Sequence, residues 1–180
     1  VEVADLGMVP DADLVARLQT DPQALCIVST RRHAAELFRT LLKSSENIHL
    51  SALMCPEHRS EVITQIRERV REGKPCRVIS TQLIEAGVDL DFPVVYRSLT
   101  GLDSIAQAAG RCNREGKLEG MGQTFVFTPE HPIPKGYLRQ SAQVTAQVMP
   151  GHADMLALDA VEHYFRVHYW QREKEMDAKH

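Results

Sequence analysis

The sequence contains few aromatic residues and few cysteines, and it has no long apolar run. Aromatic residues make up 6% of the 180 residues while 43% are hydrophobic, so a core must depend on aliphatic side chains. The four cysteines form no CxxC pair and no zinc-type spacing with histidine, which predicts reduced thiols of a cytosolic protein. No apolar run reaches the ~18 residues of a membrane span. No basic leader precedes an apolar block, so we expect neither a membrane span nor a secretory signal.

The sequence has no large excess of positive or negative charge, and it lacks several motifs of catalytic sites. The net charge of −3 argues against broad binding of nucleic acid through overall charge, although a local groove could still hold a strand. No GxxxxGK[ST] phosphate loop and no acidic Asp-Glu-x-His box occur, so nothing here can cradle a β-phosphate or orient water. His163 and His168 are spaced poorly for sharing an ion on one helical face, and we predict no metal site.

Hydrophobic periodicity predicts strands that alternate with helices. We expect helices at 11–20, 32–43 and 60–72, and strands at 24–29, 48–53, 77–80, 94–96 and 124–127. This alternation predicts an α/β fold with right-handed crossovers, hence a doubly wound parallel sheet. Prolines at 129, 132 and 134 mark a boundary near residue 131, after which we expect helices, the best one at 155–173.

The segment QAAGRCNREG at 107–116 carries the strongest chemical signal. On one helix, with Asp103 as its N-cap, Gln107, Arg111 and Arg114 share a face at i, i+4 and i+7. Two guanidinium groups with fixed N–H donors can hold a polyphosphate and neutralise charge that develops during its cleavage. A solvated basic face is the alternative interpretation.

A second signal lies upstream, in STQLIEAGVDLDF at 80–92. A short strand ends at Ser80 and Thr81, and an acidic turn with Gly87 and Asp89 follows. Open α/β sheets bind ligands at the C-terminal ends of their strands. We therefore expect the strand ends at 29–30, 80–81 and 97–98 to converge there. A turn with a capping acid is the alternative.

In this order and spacing, STQLIEAGVD and QAAGRCNR resemble motifs V and VI of superfamily 2 helicases. The segments STQLIEAGVDLDF and QAAGRCNREG are most similar to those of the CRISPR-associated helicase-nuclease of type I interference systems. Residues 25–31 resemble the strand that carries motif IV, and 50–59 resemble the next strand and its loop arginine. The resemblance implies a RecA-like doubly wound parallel sheet at 1–130 with a C-terminal loop and helical extension at 131–180. Such a domain is the second lobe of a two-lobed motor.

The resemblance also implies roles for residues in a nucleotide cleft. Arg111 and Arg114 would be arginine fingers that reach the γ-phosphate of ATP, and Gln107 would assist them. Gly87 and Asp89 would line the cleft. Mg²⁺ and most of the ATP would be held by a first lobe that this sequence does not contain, so we expect this chain alone to be inactive.

Four further residues would contact the backbone of single-stranded DNA by the same resemblance: Thr30, Arg59, Thr81 and Gln82. Each has a simpler interpretation as well, with Thr30 as a helix cap, Arg59 as a solvated loop residue and Gln82 as a surface amide. The implied partners are the first RecA-like lobe and nuclease domain of the same protein and a guide-RNA surveillance complex in a prokaryotic cytoplasm. The lobe of an RNA helicase and a non-catalytic interaction module remain open alternatives.

Overall fold

A parallel β-sheet lies at the centre of the structure. This computed structural model describes residues 1–41, 43–84, 90–113 and 121–176, with side chains described as far as residue 170. Within these ranges the strands are β1 (Glu2–Val9), β2 (Gln23–Ile27), β3 (Asn47–Leu50), β4 (Cys76–Ser80), β5 (Val94–Ser98) and β6 (Gln123–Pro129). All pairs are parallel, and the order across the sheet is β1-β6-β5-β2-β4-β3.

Helices connect these strands and extend the chain beyond them. They are α1 (Asp11–Thr20), α2 (Arg31–Thr40), α3 (Pro56–Arg71), α4 (Leu102–Ala109), α5 (Tyr137–Val148) and α6 (Leu158–Met176), with short 3₁₀ turns at Gln82–Ile84 and Met149–Gly151. None of the helices in the described part of the chain combines the length and apolar character that crossing a membrane requires.

Strand β2 explains why the sheet is covered on both faces. All five of its residues are buried. Leu25 and Ile27 pack into one core cluster, whereas Ala24 and Cys26 pack into another, because successive side chains of a strand point to opposite faces. An apolar run without polar alternation is typical of a parallel strand between two helical layers. The predicted doubly wound parallel sheet is confirmed.

Predicted and observed elements differ most at the N-terminus of the chain. Strand β1 was not predicted, and its sequence shows why, since only Val9 among its eight residues is buried. It pairs with β6 alone, as an edge strand, and its register shifts between Asp5 and Met8, where Gly7 takes a positive φ of 66°. An interrupted, half-exposed edge strand lacks the apolar pattern that identified the central strands.

The C-terminal helices share a core with the sheet. One cluster joins Leu102 and Ile105 of α4 and Val126 of β6 to Val144 of α5 and Tyr164 of α6. The helix predicted at 155–173 corresponds to α6, displaced by three residues at each end. The boundary near residue 131 remains a prediction.

An arginine on β4 holds the C-terminal end of α1. The Nε atom of Arg77 donates to the carbonyls of Leu18 (2.7 Å) and Asp21 (2.8 Å), and its Nη2 donates to that of Gln19 (3.2 Å). Its Nη1 donates to Glu46 Oε2 at 3.0 Å. A helix leaves its last carbonyls without partners inside the helix, and this one guanidinium satisfies three carbonyls at the end of α1.

Replacing this side chain should destabilise the fold. We expect Arg77→Ala to lower the free energy of unfolding by about 2–3 kcal/mol, the usual range for lost hydrogen bonds to a charged group. Urea denaturation would measure the change. Arg71→Ala, at the exposed end of α3, serves as the control and should stay within about 0.5 kcal/mol of the parent. Equal effects of the two substitutions would contradict the proposed role of Arg77.

Candidate functional site

The ends of three neighbouring strands meet at the C-terminal edge of the sheet. The backbone N–H of Val28, just beyond β2, donates to the carbonyl of Ser80 at 3.0 Å. The hydroxyl groups of Ser29 and Ser98 lie 3.1 Å apart and are hydrogen-bonded. The prediction that the ends of β2, β4 and β5 converge is therefore confirmed.

Three of the residues predicted to contact a nucleic-acid strand lie at this edge, in different environments. Thr30 is the N-cap of α2, since its Oγ1 accepts a hydrogen bond from the N–H of His33 at 3.1 Å. Its simpler interpretation as a helix cap is thus confirmed, although the hydroxyl proton is not used in that bond. Thr81 is buried, with 8% of its surface exposed. Gln82 is exposed in the 3₁₀ turn that follows β4 and is the most accessible of the three.

Arg59 occupies a different kind of position from the one expected. It lies in the first turn of α3 rather than in a loop, and its backbone N–H donates to the carbonyl of Cys55 at 3.0 Å. The helix begins at Pro56, four residues before the predicted start, because proline is well suited to the first helical position. The prediction of a loop arginine was wrong, and the side chain is half-buried on a helix.

A buried arginine beneath this edge was not predicted. Arg97 on β5 is only 2% exposed, and its Nη1 donates to the hydroxyl of Ser98 at 3.1 Å and to the carbonyl of Ile27 at 3.4 Å. It thus ties the end of β5 to the end of β2. A charged residue within an otherwise apolar strand, VVYRS, was the signal in the sequence.

The cysteines show no sign of a reactive or metal-binding role. Cys26, Cys76 and Cys112 are buried, Cys55 is exposed, and all four are free thiols, as predicted. Burial raises the pKa of the Cys26 thiol to about 12, with the charge of nearby Arg97 only partly offsetting it. Burial likewise raises the pKa of Cys76 to about 11. Such thiols stay protonated near neutral pH and are poor nucleophiles.

Arg111 lies in a turn that is fixed by backbone hydrogen bonds. Helix α4 ends at Ala109, and the N–H of Arg111 donates to the carbonyl of Ala108 at 2.9 Å. Its own carbonyl accepts from the N–H of Phe92 at 2.9 Å, and the N–H of Asn113 donates to the carbonyl of Phe92 at 3.1 Å. The side chain of Arg111 is half-buried, and Gln107, on the last turn of α4, is exposed.

The predicted helical face shared by Gln107 and Arg111 was therefore wrong. The helix stops before Arg111, with Gly110 as its C-cap, and the chain then turns at Asn113, where φ is 46°. The predicted N-cap was wrong as well, since Gly101 holds that position and Asp103 lies within the first turn.

The candidate residues form two groups at opposite ends of β5. Phe92, which holds the turn of Arg111, precedes the start of β5, whereas Ser98 is its last residue. A strand of five residues separates the two groups by roughly 17 Å at about 3.3 Å per residue. Arg111 therefore does not lie with the strand ends at the C-terminal edge, because α4 returns the chain to the N-terminal edge before Arg111.

Three predicted site residues lie outside the described residues. Gly87 and Asp89 fall in the range 85–89, and Arg114 falls in 114–120. Their roles remain predictions.

The described residues contain one group of possible metal ligands, and no spacing in the sequence revealed it. Asp11, His33 and His131 come from three distant parts of the chain, and their ligand atoms lie within 4.8 Å of one another. Only the folding of α1, α2 and the end of β6 against each other brings them together, so no local motif could have identified them.

The parallel sheet, with polar residues at its strand ends and an arginine-bearing turn behind it, defines a RecA-like lobe. Residues 20–117, more than half of the chain, match the family described as CRISPR-associated nuclease/helicase Cas3, C-terminal. The chain belongs to this family and is a C-terminal helicase domain of the Cas3 type.

Two relatives illustrate how much of such a protein this chain represents. It is 52% identical over 59 residues to the CRISPR-associated nuclease/helicase Cas3 of Haloferax volcanii, which covers 32% of this chain and 6% of that protein. It is 30% identical over 115 residues to that of Methanothermobacter thermautotrophicus, which covers 63% of this chain and 13% of that protein. The matched parts are thus a small share of the relatives' length.

Solved structures share the fold at low sequence identity. T. fusca Cas3-ATP matches with a TM-score of 0.68 at 20% identity, over 92% of this chain and 23% of that one. A chain of a CRISPR RNA-guided surveillance complex, pre-nicking, matches with a TM-score of 0.69 at 20% identity, over 99% of this chain and 27% of that one. The expected RecA-like fold is confirmed.

Proposed function

We propose that this chain is the second motor lobe of an ATP-dependent helicase that moves along single-stranded DNA, unwinds target DNA and feeds it to a nuclease in type I CRISPR interference. The observation that carries the proposal is the separation of two polar groups across β5. The turn of Arg111 lies at one end, and the converging ends of β2, β4 and β5 lie at the other. A motor lobe needs two such surfaces, because it must sense a nucleotide on one and hold a strand on the other.

The nucleotide surface of this proposal contains Arg111 and Gln107, together with Gly87, Asp89 and Arg114. A guanidinium supplied across a cleft stabilises charge on a transferring phosphoryl group. The backbone bonds on both sides of Arg111 suit this role, since they fix where its side chain starts. The existence of T. fusca Cas3-ATP among the proteins of similar fold supports a nucleotide as the ligand.

The strand surface contains Gln82 and Thr81, with Thr30 and Arg59 at its margin. Amide, hydroxyl and guanidinium groups can donate to phosphate oxygens without reading base sequence. Gln82 is exposed for such a contact, and the capping bond of Thr30 fixes its hydroxyl at the start of α2. Sequence-independent contacts of this kind allow a protein to move along a strand.

The mechanism that we propose couples these surfaces through closure of two lobes. Water cleaves the bond between the β- and γ-phosphates of ATP to give ADP and phosphate, and the first lobe would hold most of the ATP and the Mg²⁺ that neutralises its charge. Arg111 and Arg114 bind the γ-phosphate from this side and neutralise its developing charge, with Gln107 assisting them. When that phosphate leaves, the arginines lose their contact and the lobes open, so the strand surface advances.

The remaining partners are the first RecA-like lobe and nuclease domain of the same protein, and a guide-RNA surveillance complex in a prokaryotic cytoplasm. The small share of each relative that this chain matches supports the presence of such further domains. The match to a chain in a surveillance complex supports the last partner.

A reconstitution tests this proposal. We expect negligible ATP hydrolysis by the chain alone, because the sequence has no phosphate loop and an arginine finger cannot act without one. Mixed with a lobe that carries the phosphate loop, it should hydrolyse ATP when single-stranded DNA is added, as a phosphate-release assay would detect. Robust activity of the chain alone would contradict the half-motor proposal. Stimulation by RNA instead of DNA would favour an RNA helicase.

A further inference from the structure

Asp11, His33 and His131 bring one ligand atom each to within 4.8 Å of one another. Asp11 is the first residue of α1, His33 lies in the first turn of α2, and His131 follows β6. Asp11 Oδ1 lies 2.8 Å from His33 Nε2, and Asp11 Oδ2 lies 3.1 Å from His131 Nε2. The two imidazole rings face each other edge-on with their centroids 4.8 Å apart. We propose that these residues bind a divalent transition-metal cation, with zinc the ion that fits best.

The spacing of the ligand atoms suits such an ion. Zinc bonds to histidine nitrogen and carboxylate oxygen at about 2.0–2.2 Å with tetrahedral angles, so its ligand atoms lie roughly 3.3 Å apart. The two Asp–His contacts, 2.8 and 3.1 Å, are slightly shorter than this and use different oxygens of Asp11, while one ligand atom of each residue lies within 4.8 Å of the others. Small outward movements of the rings would admit the ion, and the side chain of His131, which is 43% exposed, has solvent on one side to move into.

Burial gives the site a fixed inner part and an open outer part. The side chain of His33 is 5% exposed and that of Asp11 is 18% exposed. The backbone N–H of His33 also donates to Thr30 Oγ1, which fixes the start of α2. His131, the most exposed of the three, provides the path by which an ion can enter.

A fourth group stands beside the three ligands. Glu36 Oε2 lies 3.8 Å from His131 Nε2, while Glu36 Oε1 accepts a hydrogen bond from Arg32 Nε at 2.8 Å. Because it stands beside the nitrogen that would bind the ion, Glu36 can supply a fourth ligand of a tetrahedral set.

The donor set selects the class of ion. Two imidazole nitrogens with a carboxylate suit zinc and its neighbours in the transition series, whereas Mg²⁺ and Ca²⁺ prefer sites made entirely of oxygen. The ion would therefore differ from the Mg²⁺ that accompanies ATP in the proposed motor. Without an ion, each Nε2 donates a proton to the Asp11 carboxylate, and an ion that binds must displace both protons.

An occupied site would connect α1, α2 and the segment after β6. Thr30, which we assign to the strand surface, caps the same α2 turn that carries His33. An ion would therefore hold that turn against α1 and the beginning of the extension. The inference about binding does not depend on the motor assignment, because it concerns only these side chains.

The chain offers a matched control in a second His/Asp group. His152 Nδ1 lies 3.0 Å from Asp159 Oδ2, and His152 Nε2 lies 3.1 Å from His163 Nδ1. The two nitrogens of one imidazole point away from each other, so these partners cannot all face one ion. Residue types and distances are comparable in the two groups, and only the convergence differs.

Metal titration of the chain tests the proposal. The 180-residue chain is freed of metal, its cooperative unfolding is verified by circular dichroism, and ZnCl₂ is then added in a calorimeter with excess Mg²⁺ present. We expect one Zn²⁺ per chain, a higher melting temperature on binding, and the visible absorption of tetrahedral Co²⁺ when cobalt replaces zinc. His131→Ala should abolish binding, His163→Ala should leave it unchanged, and Glu36→Gln should weaken it.

Three results would overturn the proposal. They are a folded parent chain that takes up no Zn²⁺, binding that survives in His131→Ala, and an equal loss of binding in His131→Ala and His163→Ala. Since His131 is partly exposed, its variant is expected to fold, and Asp11→Asn provides a second test that preserves side-chain shape. Loss of binding in Asp11→Asn, with unfolding still cooperative, would again assign the ion to this group.

Discussion

Arg111→Ala should lower DNA-stimulated ATP hydrolysis by at least about 10³-fold in a motor assembled from both lobes. The side chain is expected to stabilise the charge that develops on the γ-phosphate, and alanine cannot supply it. The turn itself should persist, because its hydrogen bonds to Ala108 and Phe92 use only backbone atoms. Binding of single-stranded DNA, measured by fluorescence anisotropy, should therefore change little, since the strand surface lies at the other end of β5.

Two substitutions control this experiment. Arg111→Lys keeps the positive charge but loses the planar set of donors, so activity should be recovered only in part. Arg166→Ala removes an exposed arginine of α6 and should leave hydrolysis unaffected. If Arg111→Ala unfolds the chain, then Arg111 is a structural residue. If the folded variant hydrolyses ATP at the parental rate, then Arg111 is not an arginine finger. Arg114→Ala should behave like Arg111→Ala if both are fingers.

The sheet could be predicted from the sequence because its central strands leave little ambiguity. Strand β2 is continuously apolar and buried, and the helices on either side of it show regular spacing. The strand ends could be placed together for the same reason, since parallel strands bring their C-terminal ends to one edge. The contact between Ser29 and Ser98 follows directly from that topology.

The arginine-bearing turn could not be predicted in the same way. Residues 105–112 have the small apolar positions of a helix, and local spacing alone extended that helix through Arg111. What ends it at Ala109 is tertiary, because the backbone of Arg111 and Asn113 pairs with Phe92, a residue from another segment. Gly122 packs closely against the same turn, since a Cβ there would lie 2.7 Å from Cys112 Sγ. Contacts of this kind produce no periodic pattern in the sequence.

Tyr164→Ala should have the largest effect on stability, and it tests how the C-terminal extension relates to the sheet. Tyr164 is 1% exposed on α6, in the same cluster as Leu102 and Ile105 of α4. We propose that residues 131–180 are an extension that folds with the RecA-like core rather than a separate unit. Truncating a buried aromatic side chain typically costs about 3–5 kcal/mol, and we expect that loss here in a single unfolding transition.

The control for this prediction lies on the same helix. Tyr169 is 56% exposed, so Tyr169→Ala should change the free energy of unfolding by less than about 0.5 kcal/mol. A second, earlier transition in Tyr164→Ala, with the main one unchanged, would instead show that the extension unfolds independently. The shared cluster favours a single transition, because the extension and α4 bury their side chains in one core. Helix α4 also leads directly to the turn of Arg111. Loosening the extension should then also disturb the nucleotide surface, although Tyr164 is not part of it.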